Sequence, residues 1–453
     1  MNRPVRRLLA AFALSAVALS GVIGVAPRGT PPTDSVAGVA GAVATPTTSP
    51  TTPVTTAAPS VAPSPAAPQT TPSVPSVAGP GAVEGSGPYA NPALASALDA
   101  RLERWRLKHG APGVSAAIVF ADGSVWTGAR GLADVTTQRA VTPDTAFSVA
   151  SVSKTFTSAL ILDLAADGRL RLDAKARSYV PDLPIDARIT VRQLLDHTSG
   201  LRDFYLHKGI DKALIEDRGR TWDAAMSLKY VGKPGARPGT AWIYSNTNYL
   251  VLGLIAEKVG HASVAEQLRE RFLTPLGLDH TWYQGEERSR APVAHAYRFA
   301  GAKPSLRPID LSDRSGVVPF TSVVTASGAA GSIASTAEDL AHWAGALYGG
   351  DALDAAARAG LTADMEVTLN YHPHVQYGLG VQSFDIDGRP TLGHSGRFLG
   401  TRAAARWLPT QRIAIAVLTN QSRSDPGQLV ADLLRTALPR PAPPTCAGCP
   451  KRP

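Results

Sequence analysis

Ser151 and Lys154 stand three residues apart in Phe147-Ser148-Val149-Ala150-Ser151-Val152-Ser153-Lys154-Thr155-Phe156. A serine hydroxyl is a poor nucleophile without a base, and a lysine at its ordinary pKa of ~10.4 is a poor base. The turn residues Thr142-Pro143-Asp144, the largely apolar run from Ala159 to Leu164 and the stop at Asp167-Gly168 predict a helix with Ser151 in its first turn. Positions i and i+3 share a helix face, so the hydroxyl and the amine can meet. Burial and the positive end of a helix dipole both lower a lysine pKa. The Ser151 backbone N–H adds an oxyanion donor, and together these groups could perform acyl transfer. An isolated Ser-x-x-Lys is usually an ordinary helix start, with serine as cap and lysine in solvent, so its surroundings must decide.

Three further stretches carry chemistry-bearing types. Leu194-Leu195-Asp196-His197-Thr198-Ser199-Gly200-Leu201 ends a predicted helix. Trp242-Ile243-Tyr244-Ser245-Asn246-Thr247-Asn248-Tyr249 follows the turn Pro238-Gly239 and precedes a helix. Gly393-His394-Ser395-Gly396 lies between two strands. The remaining histidines, including His372-Pro373-His374, read as loop residues, and no metal or cofactor is expected. Cys446 and Cys449 are the only cysteines. Two ligands do not close a tetrahedral zinc site, so a local disulfide or no role at all is expected for them.

The elements that must position these groups form a pattern. A helix is predicted over Ala93 to Lys108, then a hairpin of Val114–Phe120 and Ser124–Arg130 turning at Asp122-Gly123. From about Leu170 to Pro319 helical patterns mix with polar loops, the clearest helices being Val191–Asp196 and Tyr249–Val259. Strands return at Tyr377–Phe384, Pro390–His394, Thr401–Leu408 and Ile413–Thr419, with a turn at Asp387-Gly388. A helix over Gln428–Leu438 closes the pattern. This predicts an α+β fold: one antiparallel sheet flanked by N- and C-terminal helices, with an inserted helical region. The Ser151 helix falls at the junction, where clefts form.

Outside this domain, 91–439, the composition changes. Residues 1–26 join Arg3, Arg6 and Arg7 to an uncharged run from Leu8 to Ala26, the pattern of a signal peptide or, uncleaved, a membrane anchor. Residues 27–90 are rich in Pro, Thr, Ala and Ser with three charges, Arg28, Asp34 and Glu84, and are expected to form a disordered stalk. Residues 440–453 read as a disordered tail. The net charge of +9 is spread over Lys and Arg that form no run longer than a pair, which argues against nucleic-acid recognition. The expected location is extracytoplasmic, with any membrane contact through the N-terminus and peptidoglycan within reach.

Ser-x-x-Lys, then Tyr-Ser-Asn, then His-Ser-Gly, with Leu-Leu-Asp-His-Thr-Ser-Gly-Leu between the first two, resembles the penicillin-recognising serine hydrolases. The likeness is to the branch holding class C β-lactamases, D-Ala-D-Ala carboxypeptidases with His in the third box, and esterases of the same fold. It spans Ala93 to Leu438. The resemblance implies Ser151 as the acylated nucleophile, Lys154 as the group that deprotonates it and Tyr244 as proton relay to the leaving group. It implies that Asn246 bonds the substrate amide. His394, Ser395 and Gly396 would form an edge strand that takes substrate as an added strand, and the Arg397 N–H would be the second oxyanion donor. Within the family the Asp196-His197 segment is structural, not part of a triad. The commonest third box is Lys-Thr-Gly. A histidine is charged only part of the time near neutral pH, so His394 counts against efficient β-lactamase action. No Gly-x-Ser-x-Gly elbow occurs, which leaves an α/β-hydrolase without a nucleophile. The implied function is an exported D,D-peptidase of the D-Ala-D-Ala carboxypeptidase type. The alternatives are an esterase or weak β-lactamase acting on esters or β-lactams, or a non-catalytic wall-binding or β-lactam-sensing protein.

Overall fold

Helix α1 (Pro92–His109) begins and ends as local chemistry dictates. Asn91 caps it by accepting the Leu94 N–H, Pro92 fills the first turn, and Gly110 closes it at φ 58°. The computed structural model describes residues 91–299, 307–368 and 375–438. The segments read as signal or anchor, stalk and tail, with Cys446, Cys449, His372 and His374, lie outside the described residues.

Strands β1 (Gly113–Val119) and β2 (Val125–Asp134) form the expected hairpin, with Gly123 at φ 83° in its turn. Two short strands follow, β3 (Arg139–Ala140) and β4 (Phe147–Ser148). The helices then run α2 (Ser153–Ala166), α3 (Val191–Leu195), α4 (Ile210–Glu216), α5 (Ala224–Leu228), α6 (Asn246–Gly260) and α7 (Val264–Leu268). Short strands β5 (Trp282–Tyr283), β6 (Tyr297–Phe299) and β7 (Pro308–Asp310) lead to α8 (Thr321–Ser327), β8 (Ile333–Ser335), α9 (Ala337–Gly349) and α10 (Ala355–Gly360). The chain finishes with β9 (Glu366–Val367), β10 (Gln376–Tyr377), β11 (Gln382–Ile386), β12 (Arg389–Phe398), β13 (Thr401–Leu408), β14 (Ile413–Thr419) and α11 (Gly427–Ala437).

One antiparallel sheet organises the domain, in the order β3-β2-β1-β14-β13-β12-β11-β10-β9. The first and last long strands are neighbours, so the helical middle is an insertion between them, as expected. Period-two alternation sorts the side chains. Ile413, Ile415 and Val417 join Leu98, Leu102 and Trp105 of α1 and Leu429, Leu433 and Leu434 of α11 in one core. Ala414, Ala416 and Leu418 point to the other face, where they meet Leu340, Trp343 and Leu347 of α9 and Phe156 and Leu160 of α2. Small alanines on that face let α9 lie close to the sheet. A third apolar cluster joins Phe204, Leu214, Trp222, Phe320 and Val323 in the helical insertion.

Two expectations need correction. Strands Tyr377–Phe384 and Pro390–His394 have other bounds than expected. The first divides into β10 and β11 at Gly380, whose φ is 77°. The second runs on to Phe398, through the whole third box. Strand β12 is also only partly an edge: β11 pairs with it from Arg389 to Gly393, and Ser395 to Phe398 run beyond that pairing.

Candidate active site

Ser151 sits in a 3-10 turn, Ala150–Val152, that feeds directly into α2, and not in the first α-helical turn. Ala150 has φ 48°, a left-handed value that costs a non-glycine residue of order 1–3 kcal/mol. Such strain persists where the surroundings hold it. Here β4 pairs with β8, the Val149 N–H donates to the Ile333 carbonyl, and the Ile333 N–H donates to Ser153 Oγ. The turn lifts Ser151 to a half-buried position while Lys154, one turn on, is fully buried.

The amine of Lys154 has three partners. It lies 3.1 Å from Ser151 Oγ, 2.7 Å from Asn246 Oδ1 and 2.9 Å from the Ala330 carbonyl. The Ala330 carbonyl comes from a 3-10 turn, Gly328–Ala330, after α8. Burial pulls the Lys154 pKa down to about 7, against the opposing charge of Asp203. A lysine so placed gives up its proton far more readily than one in solvent and can accept one from the serine. The spacing in the sequence anticipates the pair, and burial is the main cause of the lowered pKa.

Tyr244 places its ring 5.0 Å from Lys154 Nζ. What holds it there is His197. The His197 carbonyl accepts the Ile243 N–H, and its Nδ1 accepts the Ser245 N–H at 3.2 Å, so both neighbours of Tyr244 are tied to one residue. The His197 ring lies 4.4 Å from that of Tyr244, tilted by 41°, and is surrounded by Trp242, Tyr249 and Tyr377. Burial keeps it neutral. Asp196 turns away and bonds the Thr198 N–H and hydroxyl at 2.8 and 2.6 Å. There is accordingly no Ser-His-Asp triad, and His197 serves the second box as a scaffold.

The third box departs from expectation at His394. That side chain is fully buried. Its Nδ1 lies 2.7 Å from the Ser395 carbonyl, which can only accept, so Nδ1 carries the proton and Nε2 accepts from Tyr377 Oη at 3.0 Å. Burial, with the Lys154 charge nearby, holds its pKa well below the ordinary value. His394 is therefore a neutral strut, and the expectation that it carries part-time charge beside the substrate does not hold. Ser395 bonds Gln382 Oε1 through both its N–H and its hydroxyl, at 3.1 and 3.2 Å. Gly396 is packed against the nucleophile turn. A Cβ there would overlap the Val149 carbonyl oxygen and lie 3.2 Å from the Ser151 backbone nitrogen. Arg397 follows at the end of this contact, on the same strand face as Ser395.

Asn246 is also more committed than expected. Its oxygen faces Lys154 and its NH2 group donates to Asp203 Oδ2 at 2.7 Å. Sequence reasoning missed Asp203, the Ala330 carbonyl, Tyr377 and Gln382. A backbone carbonyl has no side-chain signature. Asp203, Tyr377 and Gln382 acquire their positions only through tertiary packing.

Asp134, His295 and Asp310 also bring ligand-type atoms together within 4.8 Å. The Asp134 oxygens already accept from the Thr136 and Thr137 N–H groups and the Thr137 hydroxyl, and His295 Nδ1 is 2.8 Å from Asp310 Oδ2. The cluster ties β7 to β2.

A buried lysine on a serine that follows a strained alanine, beside a tyrosine, under a strand that touches the serine backbone is the arrangement of an acyl-transferring hydrolase. The Beta-lactamase family model matches residues 94–438, and the chain belongs to this family of serine hydrolases. It is similar to penicillin-binding protein 4 of Amycolatopsis lactamdurans, 31% identical over 337 residues that cover 71% of this chain and 84% of the relative. It is also similar to a D-aminopeptidase of Cereibacter sphaeroides (strain ATCC 17029 / ATH 2.4.9), 27% identical over 365 residues, 78% of this chain and 64% of that protein. Among solved structures, a D-stereospecific amidohydrolase from a Streptomyces species superposes with a TM-score of 0.64 at 27% identity, covering 77% of this chain and 98% of its own.

Proposed function

We propose that the protein hydrolyses the amide bond that follows a D-residue, through an acyl-enzyme on Ser151, and that its preferred substrate is a peptide ending in D-Ala-D-Ala. The observation that carries this reading is the fully buried Lys154 amine 3.1 Å from Ser151 Oγ. In the first step Lys154 takes the hydroxyl proton as Ser151 Oγ bonds the substrate carbonyl carbon. The developing oxyanion meets the Ser151 and Arg397 N–H groups. Tyr244 gives its proton to the leaving amine and regains one from Lys154, the C–N bond breaks, and water then hydrolyses the ester with the proton path reversed. The penicillin-binding and D-specific relatives support the choice of a D-residue.

A second reading, amidase action on D-amino-acid amides without a free carboxylate, is favoured by one observation: the third box offers no charge from His394. A terminal carboxylate would have to be met by Ser395 and the Arg397 guanidinium. Steady-state kinetics on a D-Ala-D-Ala tripeptide, its C-terminal amide, a chromogenic cephalosporin and a p-nitrophenyl ester would decide. The proposal expects the free tripeptide to have the highest kcat/KM, and Arg397→Ala to lower kcat/KM for the free tripeptide but not for its amide. Equal rates on acid and amide would favour the amidase, and turnover of the ester alone would contradict both.

A further inference from the structure

Asp203 lies outside all three boxes, yet it completes the hydrogen-bond chain that ends on Ser151. It is 4% exposed and caps the 3-10 turn Phe204–Leu206, where Oδ1 accepts the Tyr205 N–H at 3.0 Å. Its Oδ2 accepts from Asn246 Nδ2 at 2.7 Å. A carboxylate has no proton to give, so only the NH2 end of the amide can face it. The amide oxygen is then turned towards Lys154 Nζ, 2.7 Å away.

This orientation matters because of what surrounds the amine. Its three partners are Asn246 Oδ1, the Ala330 carbonyl and Ser151 Oγ. The first two only accept. A neutral amine keeps two hydrogens, which stay on those two acceptors, and its lone pair falls on the hydroxyl, the one partner able to donate. With the amide reversed, an NH2 group would face Lys154 and draw the lone pair to itself.

The geometry points to Asp203 as a positioning residue: by holding the Asn246 amide with its oxygen towards Lys154, it aims the lysine lone pair at the Ser151 hydroxyl. Asp203 takes no proton in this role. The Ser151 proton goes to Lys154 as Oγ bonds the acyl carbon. The inference rests on the reading of Ser151 as nucleophile. Charge acts along the same chain. Burial raises the Asp203 pKa above the ordinary value, opposed in part by its N–H donors and the Lys154 charge, and the Asp203 charge in turn raises Lys154. The other titratable groups around the amine are His197 and His394, both kept neutral by burial, and the rings of Tyr244 and Tyr249, 5.0 and 5.3 Å away. Asp203 is the acid among them.

The test follows the rate at which a fluorophosphonate labels Ser151 in the full chain, as a function of pH. This probe has no peptide amide for Asn246 to bind. Asp203→Asn can turn either end of its amide to Asn246 and removes a charge that favours protonated Lys154. It is expected to slow labelling at neutral pH by about 10-fold or more and to move the acid limb to lower pH by about one unit. The exchange Asp203→Asn with Asn246→Asp reverses the bond between the two positions, so that only an acceptor can face Lys154 again, and brings the acid next to Lys154. It is expected to label faster than Asp203→Asn, with its acid limb above that of the wild type. If Asp203→Asn does not fold, the exchanged protein alone carries the test. An acid limb at one pH in every form that folds, or a wild-type rate in Asp203→Asn, would overturn the inference. Failure of the wild type to label on Ser151 would instead remove the reading beneath it.

Discussion

Lys154 is where the residue-scale account is most exposed to measurement. The base must be unprotonated, and burial brings its pKa to about 7, so kcat/KM should rise as pH increases through about 7 and fall as the amine charges below it. A profile on a neutral ester checks this. An acid limb in the carboxylate range would assign the base elsewhere. Lys154→Ala and Tyr244→Phe should each lower turnover by roughly 10²- to 10⁴-fold, with melting temperature showing whether the fold is kept. His197→Ala is expected to lower turnover as well, because it frees the Ile243 and Ser245 N–H groups that flank Tyr244. A loss in that variant therefore does not argue for a histidine base. The chemical types were legible because Ser151 and Lys154 follow helical spacing and Tyr244 and Asn246 share one box. The state of His394 was not legible. Its neutrality comes from complete burial and from the Lys154 charge nearby, neither of which a tripeptide motif carries.

At the scale of elements, the site depends on a close approach between strand β12 and the turn Ala150–Val152. Gly396 permits it, since any Cβ would enter the Val149 carbonyl. Gly396→Ala should push the strand off the turn and displace the Arg397 N–H from the oxyanion position. Losing one such donor costs about 10²- to 10³-fold in kcat. Near-normal turnover in a folded Gly396→Ala protein would show that β12 does not supply that donor. Local signals did find the elements at both ends of the domain: Asn91 and Gly110 bracket α1, and Gly123 and the pair Asp387 and Gly388, at φ 51° and 72°, mark hairpin turns. They missed the 3-10 start of α2, because no propensity foretells an alanine held at φ 48°; the pairing of β4 with β8 helps hold it there. They also missed the Gly328–Ala330 turn, whose contribution is a backbone carbonyl.

At the scale of the whole molecule, the sheet closes by pairing β1 with β14, so the site joins residues from 151 to 397 and is built only when both ends of the domain meet. The antiparallel sheet and its two flanking helices were legible because apolar alternation and turn residues recur at both ends of the chain. The layout of the insertion was not, since its loops are set by side chains such as His197 and Asp203 that pack across it. The basic residues Arg3, Arg6 and Arg7 before an uncharged run support the proposal that the chain is exported. Fractionation of cells expressing a C-terminally tagged chain should find the tag outside the cytoplasm, and tag confined to the cytosol would sink that proposal. The central claim, that Ser151 carries the acyl group, is tested most directly by mass spectrometry of the protein after incubation with a penicillin. A single adduct is predicted on the peptide containing Ser151, persisting for minutes and absent in Ser151→Ala. An adduct on Ser199 or Ser395 that survives Ser151→Ala would contradict the account.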